Sequence, residues 1–232
     1  MHIPDGYLGP ITYGGLWAAM APVWWYASKK IKKSLKAAQV PFLALSAAFS
    51  FVIMMFNIPI PAGTTGHATG ATLIALLLGP WPAVMAVSIA LFIQAFVFGD
   101  GGITALGANC FNIAFAEVLA GYGVYRLVCP RGGGQGGNSR LRAFGRRQLI
   151  GAALGSYAGI NVAALLTAVE LGVQTLLHRG PDGRPLYSPF PLTVTVPAIM
   201  IEHMVVFGFV EALVTVLVLA YLRRSRPELI RG

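Results

Sequence analysis

The sequence predicts an all-α, polytopic membrane protein of about seven transmembrane helices, with the N-terminus outside and the C-terminus in the cytoplasm. Three observations predict it. Of the 232 residues, 56% are hydrophobic and only 11% charged, where a soluble domain carries roughly a quarter charged residues. The apolar residues gather in runs that match a bilayer core, which takes roughly 20 helical residues to cross. The cations stand in blocks between those runs, so the net charge of +9 reads as membrane topology and not as a nucleic-acid surface.

The elements follow in order. Residues 11–28 are apolar up to the cluster Lys29, Lys30, Lys32, Lys33 and Lys36, and residues 41–58 follow without a charge. Residues 67–79 are a short uncharged run between Gly63-Thr64-Thr65-Gly66 and Gly79-Pro80-Trp81-Pro82, which predicts a half-length helix opening at His67 after a flexible GTTG. Residues 81–98 and 105–128 are full spans separated by the polar turn Gly99-Asp100-Gly101-Gly102, and residues 149–177 and 195–221 close the set. Fifteen of the seventeen Lys and Arg residues lie after the first span, between Arg126 and Arg147, or in the tail from Arg223; only Arg179 and Arg184 fall elsewhere. Seven spans put every cationic block on one face, the cytoplasmic one. Residues 130–148, with their PRGGGQGGN stretch, read as a flexible basic cytoplasmic linker, and 1–232 as a single transmembrane domain.

No basic residue precedes Lys29, so the start lacks the cationic region of a secretory signal, and Met1 is expected to be the mature first residue on the outer face. Cys110 and Cys129 are too far apart in sequence for a CxxC metal site and read as free thiols.

The chemistry begins at His2. A free α-amine, the peptide nitrogen of residue 2 and the imidazole Nδ1 close a five-membered and a six-membered chelate ring, placing three nitrogens in one plane with one position open. Tetragonal nitrogen ligation suits Ni(II) or Cu(II); Zn(II) prefers a tetrahedron, and Mg(II) and Ca(II) prefer oxygen. A second imidazole would complete the square. Four histidines are present: His2, His67, His178 and His203. His178, beside Arg179, reads as a solvated loop residue. His67, on the same side as Met1, is the choice for the fourth ligand. His203, next to Glu202 in an apolar span, is open between supporting the site and helix packing.

Three motifs then carry a resemblance. MHIPDGYLGP at residues 1–10, GTTGHATG at 63–70 and QAFVFGDGGITALGANCFNIA at 94–114 closely resemble the substrate-binding membrane subunit (S component, CbiM/NikM family) of energy-coupling-factor transporters for nickel and cobalt. The resemblance implies that the N-terminal segment tucks into the helix bundle and that Met1, His2 and His67 hold the metal. It also implies a prokaryotic plasma-membrane importer with a coupling membrane subunit (T component), two cytoplasmic ABC-type ATPase subunits and often a small auxiliary membrane protein. The start resembles the nickel branch more than the cobalt branch, which often reads MHIMEG, so Ni(II) is the expected substrate and Co(II) the alternative.

Other polar residues are expected to support the N-terminal segment. The turn with Asp100, and Asn109 with Asn112 one helical turn apart, read as a hydrogen-bonding wall, with a helix-packing network as the alternative for the two amides. Asp5 reads as a structural cap or as a charge partner of the metal. Glu117, Glu170, Glu202 and Glu211 lie in apolar spans, where each needs a partner. Metal capture is expected to displace protons from both the amine and the peptide nitrogen. The chain has no GxxxxGK phosphate loop, so ATP hydrolysis belongs to other subunits and the chain itself is not an enzyme. A stand-alone secondary transporter predicts an inverted repeat, an intramembrane metalloenzyme predicts an HExxH-like set, and a scaffold predicts no metal binding; neither the repeat nor the motif is found.

Overall fold

A computed structural model describes residues 1–34, 39–130 and 145–225. Ten helices assemble into the expected all-α bundle: α1 (Pro10–Ser34), α2 (Val40–Met54), α3 (Ala71–Leu78), α4 (Pro80–Ile93), α5 (Leu106–Asn109), α6 (Val118–Val128), α7 (Arg146–Gly172), α8 (Gln174–Leu177), α9 (Leu192–Glu202) and α10 (Gly208–Ser225). Several join end to end, so they form seven segments that follow the apolar runs. Three of the segments, Pro80–Phe98, Arg146–Leu177 and Leu192–Ser225, are long and apolar enough to cross a membrane.

Three joints are π-helical: Gln94–Phe98 after α4, Cys110–Glu117 between α5 and α6, and His203–Phe207 between α9 and α10. A π turn carries an extra residue and redirects the side chains around it. Each of these joints begins or ends on a buried polar residue near the N-terminal segment: Gln94, Glu117 and His203.

The bundle is closed by small residues. A Cβ on Gly155 of α7 would lie 2.6 Å from the Gly121 carbonyl oxygen of α6, and one on Gly159 would lie 2.8 Å from that of Glu117. Backbone-to-backbone approach of this kind replaces the hydrophobic drive that helices lack in lipid. On the outer side Trp17 Nε1 donates to the Thr104 carbonyl at 2.9 Å, and Trp24 Nε1 donates to Ser88 Oγ at 2.9 Å, tying α1 to its neighbours.

Three local expectations are corrected. Thr64–Gly66 form a strand, β2, antiparallel to β1 (Ile58–Ile60), with Ile60 opposite Thr64. GTTG is therefore a hairpin strand, because the pairing satisfies its backbone groups without a helix. His67 does not open α3; the helix starts at Ala71, after Gly70 turns the chain with φ +69°, a conformation natural only to glycine. The basic linker is shorter than 130–148, since α7 already contains residues 146–148, and residues 131–144 lie outside the described residues.

Candidate metal centre

The N-terminal segment runs into the bundle and its first three residues are buried, with Met1 0% and His2 3% exposed. Backbone polarity explains how it is held. Asn109 is complementary to Ile3, accepting from its N–H (2.9 Å) and donating to its carbonyl (3.1 Å), and Gly102 N–H donates to the same carbonyl at 2.8 Å. Thr64 Oγ1 donates to the His2 carbonyl at 2.9 Å, so β2 grips the segment from the other side. Asp5 is exposed and accepts from the N–H groups of Ile103 (3.0 Å) and Thr104 (2.8 Å). It is a cap, and those bonds hold its carboxyl below the usual carboxylate range although partial burial pushes the other way. The glycines of GDGG make room: a Cβ on Gly102 would come within 2.6 Å of the Asp5 carboxylate and 2.7 Å of the Pro4 backbone.

This packing brings three of the sequence-derived residues to one point. The Met1 amine donates to the Thr65 carbonyl, and the imidazoles of His2 and His67 stack with centroids 4.6 Å apart at 28°. Two ring nitrogens, His2 Nδ1 and His67 Nε2, are buried without a hydrogen-bond partner among the described residues. Their sister nitrogens are engaged: His2 Nε2 with Gln94 Oε1 at 3.2 Å, and His67 Nδ1 with the Ala68 carbonyl at 3.1 Å. Both acceptors assign the ring proton to the outer nitrogen and leave a lone pair on the inner one, the arrangement that second-sphere partners give to metal-binding histidines. Among the described residues no group of three or more His, Cys, Asp or Glu side chains gathers as a metal site. A chelate of this type does not need one, since two of its nitrogens belong to the main chain.

Burial sets the protonation of the donors. It pushes the Met1 amine down to about 4, against the opposing attraction of Asp100 and Glu117. It pushes His2 down to about 3, helped by the charge of the amine and opposed by the Gln94 bond, and holds His67 well below its ordinary value. Burial therefore favours the neutral amine, the form whose lone pair can bind a metal. Asp100 lies 3.6 Å from His2 Nδ1, and Asn57 Nδ2 donates to it at 3.2 Å. Its partial burial raises it from the ordinary range.

The supporting residues divide. Asp5, Asp100 and Asn109 stand against the N-terminal segment. Asn112 does not: its Nδ2 donates to Glu170 Oε2 at 2.8 Å and Thr167 Oγ1 at 3.2 Å, tying the bundle to α7. The π turn that begins at Cys110 shifts its phase from that of Asn109, so the two amides no longer share a face. His203 is fully buried, with Nδ1 on the Ile199 carbonyl at 2.8 Å and Nε2 unpartnered among the described residues. It lies close enough for its charge to bear on His67. His178 is not solvated; its ring sits edge-on to Tyr187 at 5.1 Å and so tightly over Gly9 that a side chain there would collide with it.

The sequence reading missed Gln94, Thr64 and Thr65. Gln94 carried a signal, a lone amide in an apolar run, whereas the two threonines reach the site only through the hairpin. Asn109→Ala is expected to leave the buried Ile3 N–H unpaired and the Ile3 carbonyl with Gly102 N–H alone, at about 2 kcal/mol. Calorimetric metal titration should then show affinity down by about thirty-fold or more at unchanged stoichiometry.

Residues 2–229 match the family model "Cobalt uptake substrate-specific transmembrane region", CbiM. The chain belongs to the CbiM family. Within and around this family, the fused nickel transport protein NikMN of Rhodobacter capsulatus is 51% identical over 99% of the chain, which spans 64% of that relative's own length. A crystal structure of a truncated transition-metal transporter superposes with a TM-score of 0.89 at 50% identity, covering 97% of this CbiM chain and 99% of that one.

Proposed function

We propose that the chain is the substrate-binding membrane subunit of an ATP-driven energy-coupling-factor importer, and that it captures Ni(II) in a square of four nitrogens. The four are the Met1 amine, the His2 peptide nitrogen, His2 Nδ1 and His67 Nε2. The observation that carries this is the convergence of the buried N-terminus with two imidazoles whose inward nitrogens make no hydrogen bond among the described residues. Such a set fits nickel better than zinc, because an ionised peptide nitrogen and a planar chelate suit a d⁸ ion. The name of the Rhodobacter capsulatus relative supports nickel, and the family's own description keeps cobalt as the second reading.

On this reading the whole chain is one domain in the plasma membrane of a prokaryote, with the site near the outer face and the cationic blocks in the cytoplasm. A coupling membrane subunit and two cytoplasmic ATPases release the ion, and a small auxiliary membrane subunit accompanies the outer face.

The site predicts a pH dependence with a definite sign. A basic group whose folded value is depressed makes the unfolded or undocked state the better proton binder, so docking is fully favoured above the ordinary values and weakens as pH falls. For the amine the window runs from its ordinary value of 8.0 down to about 4. The ionised peptide nitrogen acts in the same direction. Calorimetric titration with nickel should show affinity falling by about tenfold or more per pH unit between about pH 8 and about pH 5.5. Equal affinity at the two ends would refute the chelate.

A further inference from the structure

We infer that Glu211 and Glu117 are positioning residues that set the fourth ligand, His67, by clamping the chain two and three residues beyond it. The inference rests on the nickel-site reading above. Glu211, from α10, accepts Thr69 N–H at 2.7 Å and Gly70 N–H at 2.9 and 3.1 Å through its two oxygens. Glu117, from the Cys110–Glu117 π turn, takes the Thr69 hydroxyl, whose oxygen accepts Ala71 N–H at 3.1 Å. From α2, Ser50 Oγ donates to the Thr69 carbonyl at 2.8 Å. All four side chains are buried: Ser50, Thr69, Glu117 and Glu211 are each 0% exposed.

The clamp does what ordinary helix capping does not need. α3 starts at Ala71 with no side-chain cap of its own, and Gly70 stands in a left-handed turn against the Phe49 ring, where a Cβ would collide. The first N–H groups of a helix that ends inside a membrane bundle must be answered by protein. Here the Thr69 hydroxyl answers Ala71 N–H and is itself held by Glu117, while Glu211 answers the two N–H groups just ahead of the helix; two carboxyl groups buried in lipid are an expensive device that marks function. Because only Ala68 separates the clamped residues from His67, the position of α10 is written into the position of the His67 imidazole. A movement of α10 therefore loosens the fourth nitrogen while the amine, peptide nitrogen and His2 stay chelated by their own short rings.

The test uses the full chain with a native N-terminus, loaded with Ni(II), and reads the visible absorption of the ion together with its affinity. His67→Ala defines the three-nitrogen spectrum, shifted to longer wavelength because water is a weaker-field ligand than imidazole. Glu211→Gln and Thr69→Val are expected to move toward that spectrum at one nickel per chain, with affinity lower by about 10- to 100-fold, the scale of a support acting through a ligand. Thr69→Ser, which keeps the hydroxyl, is expected to restore the four-nitrogen spectrum. If the clamp were only structural, the melting temperature of the metal-free variants would fall while the nickel spectrum stayed that of the parent; that result overturns the inference. Should Glu211→Gln fail to fold, Thr69→Val against Thr69→Ser decides by the same spectra. Absence of nickel binding by the parent chain would instead overturn the site reading itself, and this inference with it.

Discussion

A peptide extension ahead of Met1 is expected to abolish tight metal capture. It converts the terminal amine into an amide and places new chain where Met1 is now wholly enclosed. Both effects act on the same equilibrium. The chelate loses its first nitrogen, and the segment that carries His2 loses its docked position, because the pocket around the amine is lined by Thr65 and closed by the hairpin. The loss should exceed about 100-fold in affinity, above what supporting residues around a metal usually contribute. Calorimetry with nickel on two otherwise identical proteins, one tagged at the N-terminus and one at the C-terminus, measures it. Full affinity in the N-terminally extended protein would show that the amine is not a ligand.

The second large effect is expected at His67. His67→Ala removes the imidazole that stacks on His2 and the lone pair that faces it, and leaves a three-nitrogen chelate completed by water. Affinity should again drop by more than about 100-fold, since a ligand is lost and not merely its support. Selectivity should fall as well, because the fourth nitrogen is what favours a square over an octahedron. His178→Ala serves as a contrast: that ring packs over Gly9, away from the two stacked imidazoles, so its removal should alter the outer loop before it alters the metal spectrum. Wild-type nickel affinity in His67→Ala would contradict the proposal.

The two effects have a common physical origin, and it shows what a sequence of this kind can and cannot reveal. The seven segments were legible because hydropathy is local: a run such as 81–98 announces itself without reference to any neighbour. His2 was legible because chelate rings close within two residues, so bond geometry alone proposes it. His67 was proposed because it lies on the same side as Met1 and the other histidines suited less well, and its motif then supported the choice; no spacing rule says that residue 67 meets residue 2. The partners that grip the N-terminal segment from the hairpin were hidden. Thr64 and Thr65 act only after the Ile58–Ile60 strand pairs with Thr64–Gly66, a nonlocal event that the run of glycines and threonines masked as a flexible loop. Asn112 was misplaced because the π turn over Cys110–Glu117 breaks the 3.6-residue phase on which the same-face argument relied. The acidic residues in the spans were visible from the start, but Glu117 and Glu211 meet at Thr69 from segments nearly a hundred residues apart, and Glu170 meets Asn112. Composition can say that such groups need partners; only the fold names them.

The most direct test of the central claim is the coordination sphere of the metal in protein purified with an untouched N-terminus, read by elemental analysis and X-ray absorption at the nickel edge. The account predicts one nickel per chain in a planar set of four nitrogens, two of them from imidazoles. A protein free of transition metal after exposure to nickel and cobalt, or an ion held by oxygens with the N-terminal segment undocked, would contradict it.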